Sequence, residues 1–516
     1  MDNIELSLFS SRISSVCDEM GAVLQRVAFS PNIKDRLDFS CAIFNAEGKL
    51  CAQAAHIPVH LGSMAYAMAD VVSAIDWHEG DMVMLNDPYL GGTHLPDVTI
   101  IAPLFISQKL AGFVVNRAHH ADIGAESPGS MPVSSSLLQE GVVIAPTKLI
   151  KAGQLDQSVM AALLAKLKNT DESLGDFNAQ IGANRRGLER LQLLVQSLGF
   201  ERYVAALQAL NDYAASIARE ALKTIPDGVY QFTDWMDDDG QGQQNIAIKV
   251  TLRVQSGQLL ADFSGTAQQV HGNINCPLSV VAAAVFYVFR CLMPAQTPAC
   301  AGSFEAIKFT APEGCLLNAR YPAAVAAGNV ETSSRIVDVV MGALAQAVPA
   351  LIPAASQGSM NNLAMGFAGN EQQASWSYYE TIGGGMGAGA KNAGLSAVQT
   401  HMTNTLNTPI EVLEKHYPLR VHRYEIRQGS GGEGEHSGGD GIIREFEFLQ
   451  PAQFTLLTER RSTQPWGINA RPGHAGKNRL NDKPIVAKVN CEVTVGDRLR
   501  IETPGGGGWA ADEFKP

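Results

Sequence analysis

Histidine and aspartate side chains lie at the ends of apolar segments in four short stretches of the N-terminal third. The stretches are RLDFSC, HIPVH, GTHLPD and NRAHHADIG. Imidazoles and carboxylates are ligands that divalent transition metals accept together. The stretches therefore predict a metal site, and they supply the candidate residues Asp38, His56, His60, His94, Asp97, His119, His120 and Asp122.

His94, Asp97 and His119 are the predicted metal ligands. His94 and Asp97 share one loop, which Pro96 stiffens, and His119 ends the next predicted strand along the chain. Two such strands can lie side by side, and a catalytic metal needs about three protein ligands and an open position for water. A single histidine is better explained as a strand cap bonded to a backbone carbonyl. The cluster favours metal binding, because buried imidazoles need polar partners.

Asp38, His56 and His60 each have more than one predicted role. Asp38 precedes an apolar strand and is interpreted as a fourth metal ligand or as an ion-pair partner of Arg36. The two histidines are four residues apart, but Pro58 between them disfavours a regular helix. We therefore expect HIPVH to be extended, with a helix beginning near His60. Both histidines are candidate catalytic residues, either as a general base or as groups that orient a metal ligand.

His120 and Asp122 complete the candidate set. If the strand that contains His119 continues, both side chains point away from His119, because successive residues of a strand face opposite sides of the sheet. Where the strand ends, one of them can still reach the site. We therefore treat His120 and Asp122 as further candidate catalytic residues.

The bulk composition bounds the size and class of the protein. A chain of 516 residues is too long for one simple core, so we expect about two to four domains. Hydrophobic residues make up 46% and charged residues 17%, which is typical of a rather apolar globular protein with large subunit interfaces. The net charge of −12, without a Lys/Arg block, argues against a nucleic-acid groove.

Eight cysteines are dispersed along the chain without a C-x-x-C pair, which disfavours a zinc knuckle and a thioredoxin-like site. We expect reduced thiols in a cytoplasmic protein. The N-terminal segment has early acidic residues and no apolar h-region, so we do not interpret it as a secretory signal. No apolar run reaches the about 18 residues of a membrane span, and residues 277–293 are predicted to form a buried helix.

The hydrophobic periodicity predicts a mixed α/β protein of the α+β class with several domains. Helices are predicted at 3–28, 60–75 and 155–224, and a β-hairpin at 38–53. Beyond residue 419 the chain is predicted to be β-rich with many Gly turns. We therefore divide the chain into a metal-site α/β region (1–154), a helical region (155–225), a mixed α/β region (226–418) and a Gly-rich β region (419–516).

Two glycine-rich segments, 383–390 and 429–441, are interpreted as tight turns with close backbone packing. Neither has the G-x-x-x-x-G-K-[ST] order of a phosphate-binding loop, and no G-x-G-x-x-G follows a strand and opens a helix. The chain therefore shows no nucleotide-binding motif of its own. A serine hydrolase has no support either, because no G-x-S-x-G elbow is present.

Long motifs occur along most of the chain: RLDFSCAIFNAEGKL, HIPVHLGSM, NDPYLGGTHLPDVTIIAPLF, AHHADIGAESPGSMP, GNINCPLSVVAAAVFYVFR, YPAAVAAGNVETSSRIVDV, GSGGEGEHSGGDGIIREFEF, TERRSTQPWGINARPG and TPGGGGW. In this order they resemble the signature blocks of the hydantoinase B/oxoprolinase family. The match runs from near residue 30 to near residue 510. Two departures, Ala125 in place of a usual Gly and Glu435-His436 in a turn that is often basic or aromatic, bear on specificity rather than on reaction class.

The resemblance implies the family's fold and a metal-bearing subunit or half of an ATP-dependent enzyme. In such enzymes a hydantoinase A-type partner with an actin-like ATP-binding fold phosphorylates the substrate. The metal-bearing component then completes ring opening of a hydantoin, 5-oxoproline or another lactam. The implied metal ligands are His94, Asp97 and His119, with Asp38 as a fourth, and the implied ion is Mn, Fe, Zn or Co. The implied assembly is a hetero-oligomer in which ATP binds the partner.

Two other functions stay open at the level of the sequence. Relatives in the family carboxylate acetone or acetophenone, so this chain could instead be a subunit of a ketone carboxylase. A non-catalytic scaffold that only stabilises its partner is the third hypothesis. Metal content separates the scaffold from the enzymes, and dependence on a lactam or on bicarbonate and a ketone separates the two enzymes.

Overall fold

The computed structural model describes residues 2–54, 57–370, 373 and 375–513 of the chain. The helices of this part are α1 (Asn3–Val27), α2 (Pro31–Lys34), α3 (Pro58–Ser73), α4 (Gln157–Leu164), α5 (Thr170–Leu198), α6 (Phe200–Leu222), α7 (Leu278–Leu292), α8 (Ser333–Ala345) and α9 (Ile410–His416). The first strands are β1 (Phe39–Phe44), β2 (Leu50–Gln53), β3 (Met82–Leu85), β4 (Asp97–Ile106), β5 (Lys109–His119), β6 (Thr147–Lys151) and β7 (Gln154–Leu155).

The later strands follow the helical segment α4 to α6. They are β8 (Gly228–Asp238), β9 (Gln244–Gln255), β10 (Gln258–Asp262), β11 (Ile307–Thr310), β12 (Asn362–Phe367), β13 (Trp376–Glu380), β14 (Leu419–Arg427), β15 (Gly441–Phe448), β16 (Ala452–Leu457), β17 (Lys477–Leu480), β18 (Lys483–Ile485), β19 (Lys488–Val493) and β20 (Arg498–Glu502). The architecture is a mixed α/β fold with several sheets, and the predicted fold class is confirmed.

A seven-stranded antiparallel sheet, in the order β2-β1-β5-β4-β3-β6-β7, contains the predicted metal-site segments. The β1–β2 pair is the predicted hairpin. Alternate residues of a strand face opposite sides of the sheet, and both sides of the central strands are covered. Cys41 and Ile43 belong to the core formed with α1, α5 and α6, whereas Ala42 and Phe44 pack with α3. The sheet is therefore a rigid, buried platform.

The first helix lies on this sheet with its apolar face inward. It begins at Asn3 because the Asp2 carboxylate accepts the Glu5 N–H and the Glu5 carboxylate accepts the Asp2 N–H, a reciprocal cap. Its buried side chains recur at helical spacing: Leu6, Phe9, Ile13, Val16, Met20 and Leu24. The helix predicted at 3–28 therefore forms, although Val27 at its end is exposed. The helices α5 and α6 fill most of the segment that was predicted to be helical.

The helix predicted at 60–75 forms as α3, but it begins earlier than expected. Pro58 is in the first turn of α3, where a proline is tolerated because the first N–H groups of a helix have no intrahelical acceptor. The prediction that HIPVH is extended is therefore wrong from Pro58 onward, and His60 lies in the first helical turn. His56 lies outside the described residues.

A four-stranded sheet, β11-β10-β9-β8, supports the middle of the chain. It packs on α7 and α8 around the largest apolar core. The helix α7 is buried along most of its length, which confirms the buried helix predicted at 277–293. In the part of the chain that the structure describes, no helix combines the length and apolarity needed to cross a membrane.

Two further sheets make the C-terminal part β-rich, as predicted, with strand orders β13-β12-β16-β19 and β14-β15-β20-β17-β18. β12 pairs with β16, so the first of these sheets joins residues on both sides of position 419. The four-region division of the chain stays a prediction.

The two glycine-rich segments pack backbone against backbone. A Cβ on Gly385 would lie 2.0 Å from the carbonyl oxygen of Gly439, and a Cβ on Gly506 would lie 2.1 Å from that of Met386. Only glycine permits such close approach. The interpretation of these segments as close backbone packing is therefore confirmed.

Candidate metal centre

The pairing of β4 with β5 brings three predicted metal ligands together. Asp97 opens β4, His119 closes β5, and the two residues lie opposite each other in the antiparallel register. His94 precedes β4 in a tight turn, in which the Asp97 N–H donates to the His94 carbonyl at 3.1 Å. All three side chains are buried. The site is thus built on the ends of two neighbouring strands in the centre of the first sheet.

The three side chains converge on one carboxylate oxygen. His94 Nε2 lies 3.4 Å from Asp97 Oδ1, and His119 Nδ1 lies 3.5 Å from the same oxygen. Both distances exceed that of a normal hydrogen bond. One ligand atom of each residue lies within 4.8 Å of those of the other two. This spacing is suitable for a single ion between them.

Unpartnered buried atoms indicate what the cluster can hold. Within the described part of the chain, His94 Nε2, Asp97 Oδ1 and His119 Nε2 have no hydrogen-bond partner. An unpartnered buried polar atom costs about 1–3 kcal/mol, so a ligand that accepts these lone pairs would stabilise the site. Two imidazoles and one carboxylate are a donor set for a divalent transition metal. The residues present therefore fit such an ion.

The second oxygen of Asp97 is held by three polar groups. Thr93 Oγ1 donates to Asp97 Oδ2 at 2.6 Å, Asn329 Nδ2 donates to it at 3.2 Å, and His60 Nε2 lies 3.4 Å away. His60 is positioned in turn by Ser40, whose hydroxyl lies 3.2 Å from His60 Nδ1. These contacts turn the other oxygen toward the two histidines. The geometry of His60 is that of a group that orients a metal ligand.

Asp38 lines the same cavity but does not belong to the group of three ligand atoms. Its carbonyl accepts the His119 N–H at 3.0 Å. Among the residues that the structure describes, Asp38 and Arg36 form no ion pair, and Arg36 instead donates to the hydroxyls of Thr381 and Thr405 at 3.3 Å. The expected ion pair is therefore absent there, and the role of Asp38 as a fourth ligand stays a prediction.

Residues from distant segments close the cavity over the three ligands. Tyr379 of β13 stacks on the His119 imidazole, with ring centroids 5.1 Å apart and planes 5° apart. The cavity has a volume of about 20 Å³, which is room for about one water molecule or ion. Its remaining wall is apolar or carries hydroxyl groups: Ile57, Val59, Val330, Met360, Thr381, Met402 and Thr403. The ligand side chains are therefore buried in surroundings of low polarity, which strengthens electrostatic interactions between them.

Sequence reasoning missed Asn329 and Tyr379. The polar run NVETSS, inside an otherwise apolar stretch, is the signal that could have found Asn329. Tyr379 offers no local signal, because its position depends on the pairing of β13 with β12. Both contacts are products of the tertiary fold.

Burial and mutual contacts set the charge states of the ligands. Burial alone would raise the pKa of the Asp97 carboxyl, but the imidazoles of His94 and His60 outweigh burial and hold that pKa well below its usual range. Burial lowers the pKa of His119 below its ordinary value, so the imidazole is neutral at neutral pH. A carboxylate and a neutral imidazole are the forms that bind a metal. At His94, burial is outweighed by Asp97, which raises the pKa of that imidazole, so a metal there must displace a proton.

The structure places His120 and Asp122 away from the cavity. His120 Nε2 lies 2.9 Å from Gln180 Oε1, and its ring packs on Phe177 of α5. Asp122 accepts the Asn169 N–H at 2.9 Å, immediately before α5 begins. Both side chains face the helical layer rather than the three ligands. Their proposed catalytic roles are predictions that this geometry does not favour.

Residues 2–512 match the family described as Hydantoinase B/oxoprolinase. The chain belongs to the hydantoinase B/oxoprolinase family. The resemblance seen in the sequence motifs is therefore confirmed over nearly the whole chain.

Named relatives of this hydantoinase B/oxoprolinase chain differ in length. 5-Oxoprolinase 1 of Arabidopsis thaliana is 38% identical over 553 residues, which cover 99% of this chain but 42% of that protein. A candidate D-/L-hydantoinase B-type component of Pseudomonas sp. is 31% identical and is covered to 90%, with 99% of this chain aligned. The chain thus spans about two fifths of the 5-oxoprolinase and nearly all of the hydantoinase component.

A solved structure supports the same family fold. The ATP-dependent caprolactamase of Pseudomonas jessenii matches with a TM-score of 0.91 and 26% identity, over 99% of this chain and 91% of that chain. Because the similarity extends over 99% of this chain, the sheet that carries the candidate metal ligands is part of a fold shared with that caprolactamase.

Proposed function

We propose that this chain is the metal-bearing component of an ATP-dependent enzyme that hydrolyses a cyclic amide, such as a hydantoin, 5-oxoproline or another lactam. The observation that carries the proposal is the buried group of His94, Asp97 and His119, whose ligand atoms lie within 4.8 Å of one another. The names of the related 5-oxoprolinase and caprolactamase each denote an enzyme that opens a lactam ring.

An amide is a poor electrophile, so its hydrolysis needs an activated carbonyl and a strong nucleophile. A divalent ion held by the three ligands would lower the pKa of a water molecule and supply that nucleophile near neutral pH. The chain's own contribution is to fix the ligands. Thr93, Asn329 and His60 hold Asp97 Oδ2, which leaves Oδ1 facing the two histidines.

We propose that ATP binds a second protein, a hydantoinase A-type subunit with an actin-like fold. The chain has none of the usual nucleotide-binding motifs, and its glycine-rich segments are filled by neighbouring backbone. It covers nearly all of a candidate hydantoinase component but less than half of a 5-oxoprolinase, which supports an ATP-binding part on another chain or segment. Phosphorylation of the carbonyl oxygen there would make the amide reactive.

We propose a cytoplasmic hetero-oligomer as the working form. The eight cysteines are all free thiols, which suits a reducing compartment. Ile4 and Leu8 lie one turn apart on α1, and both side chains are exposed. Exposed apolar side chains at this spacing are suitable for contact with a protein partner.

The test is co-expression of this chain with a hydantoinase A-type protein, followed by a screen of hydantoins and lactams. Phosphate release and the ring-opened product are measured in parallel. We expect both to require ATP, both chains and a divalent ion, and we expect neither from this chain alone. Purified without chelator, the chain should contain nearly stoichiometric Mn, Fe, Zn or Co.

Two ligand variants and one control variant test whether the metal binds at the proposed ligands. His94→Ala and Asp97→Asn should each remove the metal and abolish ring opening, because each removes one of three ligands. His271→Ala is the matched control, since His271 is an exposed histidine outside the cavity. If both ligand variants bind as much metal as the parent, the site is wrong. If they lose metal but still open the ring, the metal is only structural.

The same assay separates the other two functions. ATP turnover that depends on bicarbonate and a ketone, with no lactam product, would assign the chain to the ketone carboxylases. A chain that binds its partner but neither holds metal nor turns over any substrate would be a scaffold. Either result would overturn the proposed hydrolase.

A further inference from the structure

Glu140 is a fully buried acidic residue near the metal centre that, in the described part of the chain, contacts none of the three ligand side chains directly. It follows a short turn at Leu137–Gln139, and its side chain is 0% exposed. A buried carboxyl group costs free energy unless hydrogen bonds compensate it. The groups that hydrogen-bond the Glu140 carboxyl group therefore indicate what this residue does.

Hydrogen-bond donors surround the Glu140 carboxyl group. Ser134 Oγ donates to Oε1 at 2.6 Å, the Val325 N–H at 2.9 Å and the Ala326 N–H at 3.0 Å. The second oxygen, Oε2, lies 3.1 Å from Val325 N. One side chain thus binds two consecutive backbone amides of a distant segment. These amides lie in irregular backbone between α7 and α8, where no backbone carbonyl of the described residues accepts them.

The backbone segment that Glu140 holds contacts the metal centre through a carbonyl group. The Ala326 carbonyl accepts a hydrogen bond from His94 Nδ1 at 3.1 Å. Because a carbonyl oxygen only accepts, Nδ1 of His94 carries a proton, and Nε2, which faces Asp97 Oδ1, is the nitrogen left to bind a metal. The position of one carbonyl therefore fixes the tautomer of a metal ligand.

The same backbone reaches a second ligand a few residues later. Asn329 lies in the π-helical turn Gly328–Thr332, which leads into α8, and its amide group donates to Asp97 Oδ2 at 3.2 Å. The start of this segment is anchored independently, because Asn275 Nδ2 donates to the Ala324 carbonyl at 3.0 Å. Glu140 binds the amides between these two points, where the Ala326 peptide must be oriented.

We propose that Glu140 is a positioning residue of the metal centre, which holds the Ala326 carbonyl against His94 Nδ1 and so selects the tautomer of His94 that presents Nε2 to the metal. The proposal rests on the proposed function, because it requires a metal at His94. Groups that orient a metal-bound histidine contribute about 10–100-fold to metal affinity. We therefore expect loss of the Glu140 contacts to lower metal affinity by a factor of this size.

Two substitutions of Glu140 should have different effects on metal affinity. Glu140→Ala removes every contact, so Zn²⁺ affinity should fall about 10–100-fold. Glu140→Gln keeps an oxygen at the position of Oε1, which carries three of the four contacts, so its affinity should stay close to that of the parent. Affinity is measured on the full chain by competition with a chromophoric chelator. The absorption spectrum of the Co²⁺-loaded chain reports changes in coordination.

Asp237 provides the matched control. It is a buried carboxylate that accepts backbone N–H groups of Arg461, Ser462 and Thr463 and the Thr463 hydroxyl, outside the metal cavity. Asp237→Ala should lower the unfolding temperature but keep the parent's Zn²⁺ affinity and Co²⁺ spectrum. A Glu140→Ala chain with the parent's Zn²⁺ affinity and Co²⁺ spectrum would overturn the proposal.

A third variant keeps the test decisive if Glu140→Ala does not fold. Glu140→Asp retains the carboxyl group but is one methylene too short to bind both amides, so it should lower Zn²⁺ affinity and populate the other tautomer of His94. Ring ¹⁵N chemical shifts, assigned with His94→Gln, report the tautomer in metal-free protein. Parental affinity with a purely Nδ1-protonated His94 in Glu140→Asp contradicts the proposal.

The failure of this proposal can be distinguished from the failure of the proposed function. If the parent chain binds no Zn²⁺ or Co²⁺, the metal-dependent function is wrong. The ¹⁵N shifts of the metal-free parent then still decide whether His94 carries its proton on Nδ1. A His94 in the parent that is protonated on Nε2 but not on Nδ1 would overturn the positioning role whatever the metal content.

Discussion

Two adjacent histidines at the end of β5 have opposite surroundings. His119 faces the candidate ligands, whereas His120 packs on Phe177 and hydrogen-bonds Gln180. We expect His119→Phe to abolish metal binding. His120→Phe should keep metal affinity but lower the free energy of unfolding by about 1–3 kcal/mol, because Gln180 Oε1 loses a buried partner. Metal titration and urea unfolding of both variants measure the two effects.

This pair of variants also decides the role of His120. Each replaces an imidazole with a ring of similar size at neighbouring positions, so His119→Phe and His120→Phe control for each other. A His120→Phe chain that loses its metal would return His120 to the catalytic set.

Glu331 is a buried carboxyl group whose titration should affect stability. Its Oε1 accepts from Asn362 Nδ2 at 2.7 Å, whereas Oε2 has no hydrogen-bond partner among the described residues. Burial, with a smaller contribution from Glu459, raises the pKa of Glu331 from 4.5 to about 7. The folded state therefore binds the proton more tightly than the unfolded state. The stabilisation is complete below about pH 4.5 and is lost as the pH rises through about 7.

Glu331→Gln tests this pH dependence. The free energy of unfolding of the parent, minus that of the variant, should decrease between pH 5 and pH 8 in urea titrations. Contributions from other titrating groups are common to both proteins and cancel in this difference. Glu305→Gln, at an exposed position, controls for the loss of a negative charge. A difference that rises with pH would show that the sign is wrong.

At the scale of residues, the sequence predicted part of the site. His94, Asp97 and His119 were predictable because they are close in sequence and lie at strand ends, where the register of two neighbouring strands sets their distance. Asn329 and Tyr379 were not, because their contacts depend on segments that approach only in the folded chain. The same limit applies to Glu140, whose backbone partners Val325 and Ala326 lie 185 and 186 residues away.

The π-helical turn before α8 is held by close contact between backbones. Gly328 lies so near Asn275 that an added Cβ would be 1.9 Å from the Asn275 carbonyl oxygen. We expect Gly328→Ala to lower the free energy of unfolding by about 1–3 kcal/mol or more, because backbone must shift to admit the methyl group. Metal affinity should also fall, because Ala326 and Asn329 lie within two residues of this position.

Gly389→Ala is the control for this element. An added Cβ at Gly389 meets nothing within 4 Å, and no positive φ is recorded there. Its unfolding free energy and metal affinity should equal those of the parent within error. If Gly328→Ala lowers stability but leaves metal affinity unchanged, the turn does not position the ligands.

At the scale of elements, local patterns predicted most helices and hairpins. The helix α1 and the β1–β2 hairpin depend on periodicity and turn residues within one segment, which the sequence shows directly. The start of α3 was misplaced, because the prediction treated Pro58 as an interior helix position rather than as the first turn. Proline excludes a helix only where its missing N–H would have been bonded.

A buried ion cluster joins three parts of the whole molecule. Arg460, after β16, contacts Asp234 of β8 at 2.6 Å and Asp338 of α8 at 2.7 Å. Arg460→Met should lower the free energy of unfolding by about 3–5 kcal/mol, because two buried carboxylates lose their shortest ion pairs and keep only the longer contacts with Arg335 at 3.5 and 3.8 Å. Thermal and urea unfolding measure this loss.

Arg320→Met is the control for the ion cluster. Arg320 pairs with Glu313 at 3.0 Å, and the two side chains are 62% and 71% exposed. Solvent-accessible pairs contribute about 0–1 kcal/mol, so this variant should be close to the parent in stability. Equal losses for the two arginines would show that burial of the Arg460 cluster is not important for stability.

At the scale of the molecule, the sequence predicted the fold class but not the arrangement of the sheets. Alternation of apolar residues identifies a strand, yet it does not say which strand it pairs with. The pairing of β12 with β16 connects segments that the sequence assigned to different regions. The motif resemblance supplied the family, because long motifs in a fixed order are more specific than periodicity.

The order of the site residues along the chain determines which of them leave the ribosome first. His94, Asp97 and His119 emerge about 200 residues before Asn329 and still earlier relative to Tyr379. At about 5–20 residues per second, the interval lasts about 10–40 s. We expect β4 and β5 to pair during that time, so the nascent chain exposes all three ligands before their cover is made. If the proposed function holds, we expect the ion that is finally enclosed to depend on which metals are free near the ribosome.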